Sequence, residues 1–85
     1  MKVWGRVRKD NKTVKEAVIV IEALKKDDVR DWTDPIGEVC RELDLARPVI
    51  LKKHLDEIDR FSNTAFKQQD FMEPLGFDKL EIEIF

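Results

Sequence analysis

The chain is poor in the residues that build chemistry. Its 85 residues include one cysteine, one histidine, three glycines and three prolines, and Ser62 is the only serine. A single thiol, Cys40, excludes a disulfide framework, a CxxC redox pair and a cysteine-rich zinc site. Ser62 has no G-x-S-x-G elbow around it, so serine hydrolase chemistry lacks its frame. Gly5, Gly37 and Gly76 stand far apart, which excludes a glycine-rich phosphate loop. So little glycine and proline also excludes collagen-like and low-complexity chains. Long apolar runs are missing as well. The longest, Ala17 to Ile21, is far short of the roughly 20 residues that span a bilayer. The opening Met1-Lys2-Val3-Trp4-Gly5-Arg6 has no apolar stretch of the kind a signal peptide needs. A cytoplasmic protein that uses no membrane is the expectation.

What is present is charge and a modest amount of core. The composition is 42% hydrophobic and 40% charged, with a formal net charge of −2. That is too apolar and too balanced for intrinsic disorder. The length suits one domain, residues 1–85, with a small core and modest stability. The balance hides segregation. Residues 1–15 carry six basic residues and one acid, a net of +5; residues 27–44 carry seven acids and two arginines, a net of −5; residues 68–85 carry five acids and one lysine, a net of −4.

Pattern then predicts an α+β fold. Residues 2–9 and 13–22 read as strands joined by Asp10-Asn11-Lys12, a turn sequence in which Asn11 accepts φ > 0. A three-residue loop pairs Lys9 with Thr13, Arg6 with Glu16 and Val3 with Ile19, so opposite charges face each other. One face then holds Val3, Val7, Ala17, Ile19 and Ile21. The other holds Trp4, Arg6, Arg8, Val14, Glu16, Val18 and Val20. A helix is predicted over 34–44, with Asp34 as N-cap, Pro35 at the first helical position, and Ile36, Val39, Cys40 and Leu43 as its apolar stripe. A separate helical turn is expected at 27–32. Leu51, Leu55, Ile58 and Phe61 fit a second helix at 52–62. Residues 63–77 read as an ordered loop pinned by Phe66, Phe71 and Met72, with room for one helical turn near Asp70. Leu80 to Ile84 alternates as a half-buried strand. The acidic last strand is expected beside the basic first one, with Lys2 and Arg6 near Glu83 and Glu81. The result is a three-stranded antiparallel sheet of order 2-1-3, with an N-terminal hairpin, a C-terminal strand and two helices on one face.

The chain also resembles a family of short uncharacterised bacterial proteins with no established function. The resemblance rests on Met1-Lys2-Val3-Trp4-Gly5-Arg6, on Cys40-Arg41-Glu42-Leu43-Asp44-Leu45 with Arg47-Pro48, on Thr64-Ala65-Phe66 and Asp70-Phe71, and on Phe77-Asp78-Lys79-Leu80-Glu81-Ile82-Glu83. It implies a free-standing single domain of bacterial type and no particular activity.

Candidate chemistry is thin. Cys40 lies on a helical apolar stripe and reads as a small core residue. His54, among Lys52, Lys53 and Asp56, reads as solvated. Asp27, Asp28, Asp31 and Asp34 do not match an EF-hand loop, and Asp31, Asp34, Glu38 and Glu42 form the polar side of a helix. No catalytic residue, cofactor or metal site is assigned. The leading expectation is a non-enzymatic protein-interaction module. It would bind a protein partner or a second copy through the outer sheet face or an edge, with Trp4, Arg6, Arg8, Val18, Val20 and Phe85 as candidates. The competing expectation is that the 63–77 loop wraps over that face. The alternative function is a weak nucleic-acid binder using Lys2, Arg6, Arg8, Lys9, Lys12 and Lys15 around Trp4. A pI near 5.4 and the adjacent Glu81 and Glu83 argue against it.

Overall fold

The computed structural model describes residues 1–29 and 31–85. Strand β1 (Lys2–Lys9) and strand β2 (Lys12–Val20) form an antiparallel hairpin. Helix α1 (Thr33–Glu42) and helix α2 (Lys52–Phe61) follow, then strand β3 (Asn63–Lys67) and strand β4 (Lys79–Ile84). Short 3₁₀ turns lie at Lys26–Asp28 and Gln68–Asp70. The expected α+β class, antiparallel sheet and two helices are all present. The sheet has four strands, however, in the order β2-β1-β4-β3. The extra strand lies within the stretch expected to be loop, and it pairs outside the C-terminal strand. The placement of the basic first strand between its hairpin partner and the acidic last strand is as expected.

The hairpin register holds Arg6 opposite Glu16 and Val3 opposite Ile19, but the turn differs from the expected one. Asp10 and Asn11 both adopt positive φ, 52° and 63°, which makes a two-residue turn matched to the twist of the strands. Lys9 therefore pairs with Lys12, and Arg8 with Thr13. Between Val7 and Arg8 the register shifts by one, leaving Val14 as a bulge residue. A two-residue turn plus one bulge gives the same offset as a three-residue loop, so the faces of the strands are those the charges demanded.

One sheet face carries the core. Val3, Val7, Leu80, Ile82, Ile84 and Phe66 point to it and meet Ile36, Val39 and Cys40 of α1, Leu43 just after it, and Ile58 of α2. Helix α1 lies over β1 and β2, and α2 packs against β3. At Gly5 the approach is so close that a β-carbon would overlap Val39 Cγ1 and touch Leu43 Cδ1 at 3.4 Å. Helix α1 begins one residue before the expected Asp34 cap. Its N-cap position is Trp32, the Asp31 carboxylate accepts the Thr33 N–H at 2.9 Å, and Pro35 sits third in the helix. Pro35 still falls in the first turn, where its missing N–H has no intrahelical partner to lose. In α2 the buried stripe is His54 and Ile58, whereas Leu51, Leu55 and Phe61 are exposed. The helix exists where expected but is rotated. Its C-terminal end is tied down by Lys26, whose Nζ donates to the carbonyls of Ile58 and Asp59 at 3.2 and 2.8 Å. A cation at that end also complements the helix dipole.

Candidate functional site

The outer sheet face is built from the alternate residues of the same strands, because successive side chains point to opposite sides. Trp4 of β1 lies opposite Val18 of β2 and Glu83 of β4. Phe85 closes one corner, with its ring edge-on to Trp4 at 6.0 Å between centroids. Arg6 stacks over the Trp4 ring, its guanidinium carbon 4.2 Å from the centroid, a geometry that favours cation–π attraction. Val18 is 49% exposed, Val20 73% and Phe85 56%. Val18, Val20 and Phe85 are thus open to solvent around a half-buried Trp4, with a charged rim.

The 63–77 segment does not cover it. Phe66 and Phe71 are buried in the core on the helix side, and Phe77 packs against that core, edge-on to Phe71. Met72 is exposed. The sequence could not decide between a covered and an open face because aromatics pin a loop equally well on either side of a sheet.

The rim is partly self-neutralised. Arg6 pairs with Glu83 at 3.8 Å and Arg8 with Glu81 at 3.2 Å. Arg6 stands opposite Glu81 in the ladder, as expected, but both arginines reach diagonally for their ion pairs. Arg8 also donates to the Thr13 hydroxyl and the Asn11 carbonyl, which fastens the turn. Lys2 stands 5.9 Å from the Phe85 ring centroid. Lys15 points to the helix side, where its Nζ meets the Leu43 carbonyl at 3.5 Å. The six cations of the hairpin are therefore divided. Arg6 and Arg8 answer acids, Lys15 lies on the opposite face, and Lys2, Lys9 and Lys12 sit at scattered positions. Two donors at the centre, Trp4 Nε1 and Arg6 Nε, have no hydrogen-bond acceptor.

The scarce chemical residues are placed elsewhere. Cys40 is buried, and burial pushes its thiol up to about 11, so it stays protonated and unreactive at neutral pH. His54 is not solvated as the sequence suggested but 0% exposed. Its Nδ1 accepts the Leu51 N–H at 2.9 Å, its ring lies 4.2 Å from that of Phe66, and its Nε2 is 3.4 Å from the buried Asp70 carboxylate. Asp70 in turn accepts the Lys67 N–H. Burial holds the imidazole below its ordinary range, against the opposing pull of Asp70. The charged neighbours of His54 in the sequence hid this, since they point outward while the ring points in. Asp31, Asp34, Glu38 and Glu42 are exposed, and the Thr33 N–H bond holds the Asp31 carboxyl below the usual range. Among the described residues, no group of three or more His, Cys, Asp or Glu is placed to hold a metal ion. No helix there is long and apolar enough to cross a membrane. A polar groove of about 400 Å³ follows β3 between Lys53, Glu57, Ala65 and Gln69. Two of its acids are engaged, because the exposed Glu57 accepts from the Thr64 hydroxyl and the buried Asp70 is held as above.

The chain matches no family model, no curated protein and no solved structure.

Proposed function

We propose that the protein is a non-enzymatic interaction module that binds a protein partner through the outer face of its sheet, with Trp4, Val18, Val20 and Phe85 as the apolar centre and Arg6 and Arg8 in the rim. The observation that supports this most is the exposure of Val18, Val20 and Phe85 around Trp4, on a face that no segment of the described chain covers. An apolar centre with a mixed-charge rim is the common anatomy of a protein interface. Tryptophan and arginine are the residues that most often dominate its energetics.

Affinity capture with the wild-type chain and with Trp4→Glu tests the reading. A partner held by the wild type and lost from Trp4→Glu is the expected result. Equal recovery by both chains, or no association in capture and in sedimentation alike, overturns it.

A further inference from the structure

The two edges of the sheet are not equally protected. At β3 the strand is short, and the Lys67 N–H that would point outward is taken by the Asp70 carboxylate. At β2 the direction of each backbone group follows from the ladder. The Met1 carbonyl accepts from Ile21 N–H at 2.9 Å, so in an antiparallel pair the alternate residues Ile19 and Ala17 also bond to β1. Glu16, Val18 and Val20 then aim their N–H and C=O groups away from the sheet. Among the described residues none of these groups takes part in a hydrogen bond to a turn, loop or side chain. The devices that usually blunt an edge, a bulge and charged side chains, are gathered in the first part of the strand, at Lys12, Val14, Lys15 and Glu16. From Ala17 to Ile21 there is no charge, proline or bulge. Ile19 and Ile21 remain only partly buried although they pack against the core.

We propose that this open half of β2 pairs antiparallel with the same segment of a second copy, centred on Val18, joining two four-stranded sheets into one continuous sheet. The proposal goes beyond the outer-face reading: it concerns the free edge of the sheet, and the occupant of that edge is a second copy. A second copy fits for three reasons. An antiparallel strand pair is self-complementary about a two-fold axis. Centring on Val18 sets the small Ala17 opposite the large Ile19 on the helix side, and Val20 opposite Glu16 on the outer side, so that Glu16 never meets its own copy. It also sets Lys15 opposite Ile21 and Val14 opposite Glu22, so that no two like charges meet across the pair. The net charge of −2 adds little repulsion between copies. The paired segment is short, at the low end of the areas that support stable complexes, so a Kd on the order of 10 μM is expected.

Sedimentation velocity and amide exchange over about 5 μM to 1 mM bracket that affinity. The expected result is a monomer–dimer transition, with the Glu16, Val18 and Val20 amides slowing more than tenfold as the dimer fills. Val20→Pro removes one outward N–H while leaving the β1 ladder intact, as proline at an edge permits. It should weaken the dimer more than tenfold, whereas Trp4→Glu, which alters the face and not the edge, should leave it formed. A wild type that is monomeric throughout overturns the proposal, as do outward amides that stay unprotected in the dimer. A dimer that survives Val20→Pro and is lost in Trp4→Glu overturns the edge while leaving the outer-face reading in place. If Val20→Pro does not fold, the wild-type amides decide alone.

Discussion

Gly5→Ala is the sharpest test of how the helices sit on the sheet. The residue lies in the middle of β1 on the core face, and α1 passes directly above it. A methyl group there overlaps Val39 Cγ1, which is itself 0% exposed and has no free space to enter. Overpacking of this kind costs about 1–3 kcal/mol. Replacing a strand glycine by alanine returns roughly 0.5–1 kcal/mol of backbone entropy. Because Val39 has nowhere to move, the overlap falls in the upper half of that range, and the net expectation is a loss of about 1–2.5 kcal/mol, or a fall in Tm of very roughly 4–20 °C for a domain of this size. Val39→Ala alone removes two buried carbons and should cost about 1–3 kcal/mol. The informative variant is the double one. The alanine at position 5 occupies the space that Val39 vacates, so the two losses should fall short of additivity by about 0.5–3 kcal/mol. Urea denaturation followed by circular dichroism gives all four corners of the cycle. A Gly5→Ala chain within 0.5 kcal/mol of wild type (about the scatter of a neutral surface change), or a double variant whose loss is the simple sum, would refute the close seating of α1.

Further outcomes follow from other contacts. Because burial depresses the His54 pKa, the unfolded chain binds a proton more readily than the folded one. The contribution of neutral His54 should be complete above pH 7 and shrink as the pH drops through about 6.5, the ordinary imidazole value. The stability gap between wild type and His54→Gln should thus narrow from pH 7.5 to pH 5.5 in urea melts, and a constant gap would contradict the buried neutral imidazole. Lys26→Met removes the cation from the end of α2 and should cost about 0.5–1 kcal/mol, read from the same melts. Because Arg6 and Arg8 are already paired with β4, single-stranded DNA should show no binding in a titration at about 50 mM salt, a condition that favours phosphate contacts.

Charge made much of this fold legible before any coordinates. The basic first strand and the acidic last strand could neutralise each other only as neighbours, and Arg6 opposite Glu16 selected the right faces for the hairpin. The hairpin turn has two residues where three are expected, at no cost to the register, because the bulge at Val14 restores the offset. β3 is not legible in the sequence for a physical reason. Its five residues bury only Thr64 and Phe66, too short a run for alternation to stand out from a loop containing aromatics. The rotation of α2 was hidden because Leu51 and Leu55 are as apolar as a core stripe, while the true stripe begins with a histidine. Of the candidate surface, the identity of its residues followed from the register. Its openness depended on which side of the sheet a loop chose, and local sequence does not encode that choice.

The order β2-β1-β4-β3 has a kinetic consequence. Its central pair sets Val3 against Ile84 and Trp4 against Glu83, and Lys2 bonds to Phe85 in both directions. Those contacts join residues almost the whole chain apart, so the entropy of closing that loop is lost before the middle of the sheet can repay it. Hairpin β1–β2 and the β3–β4 pair can form more locally, each as half of a sheet with an unpaired inner edge. Folding should therefore be slow for so small a chain, in the millisecond-to-second range typical of non-local topologies, with the union of those two halves as its late step.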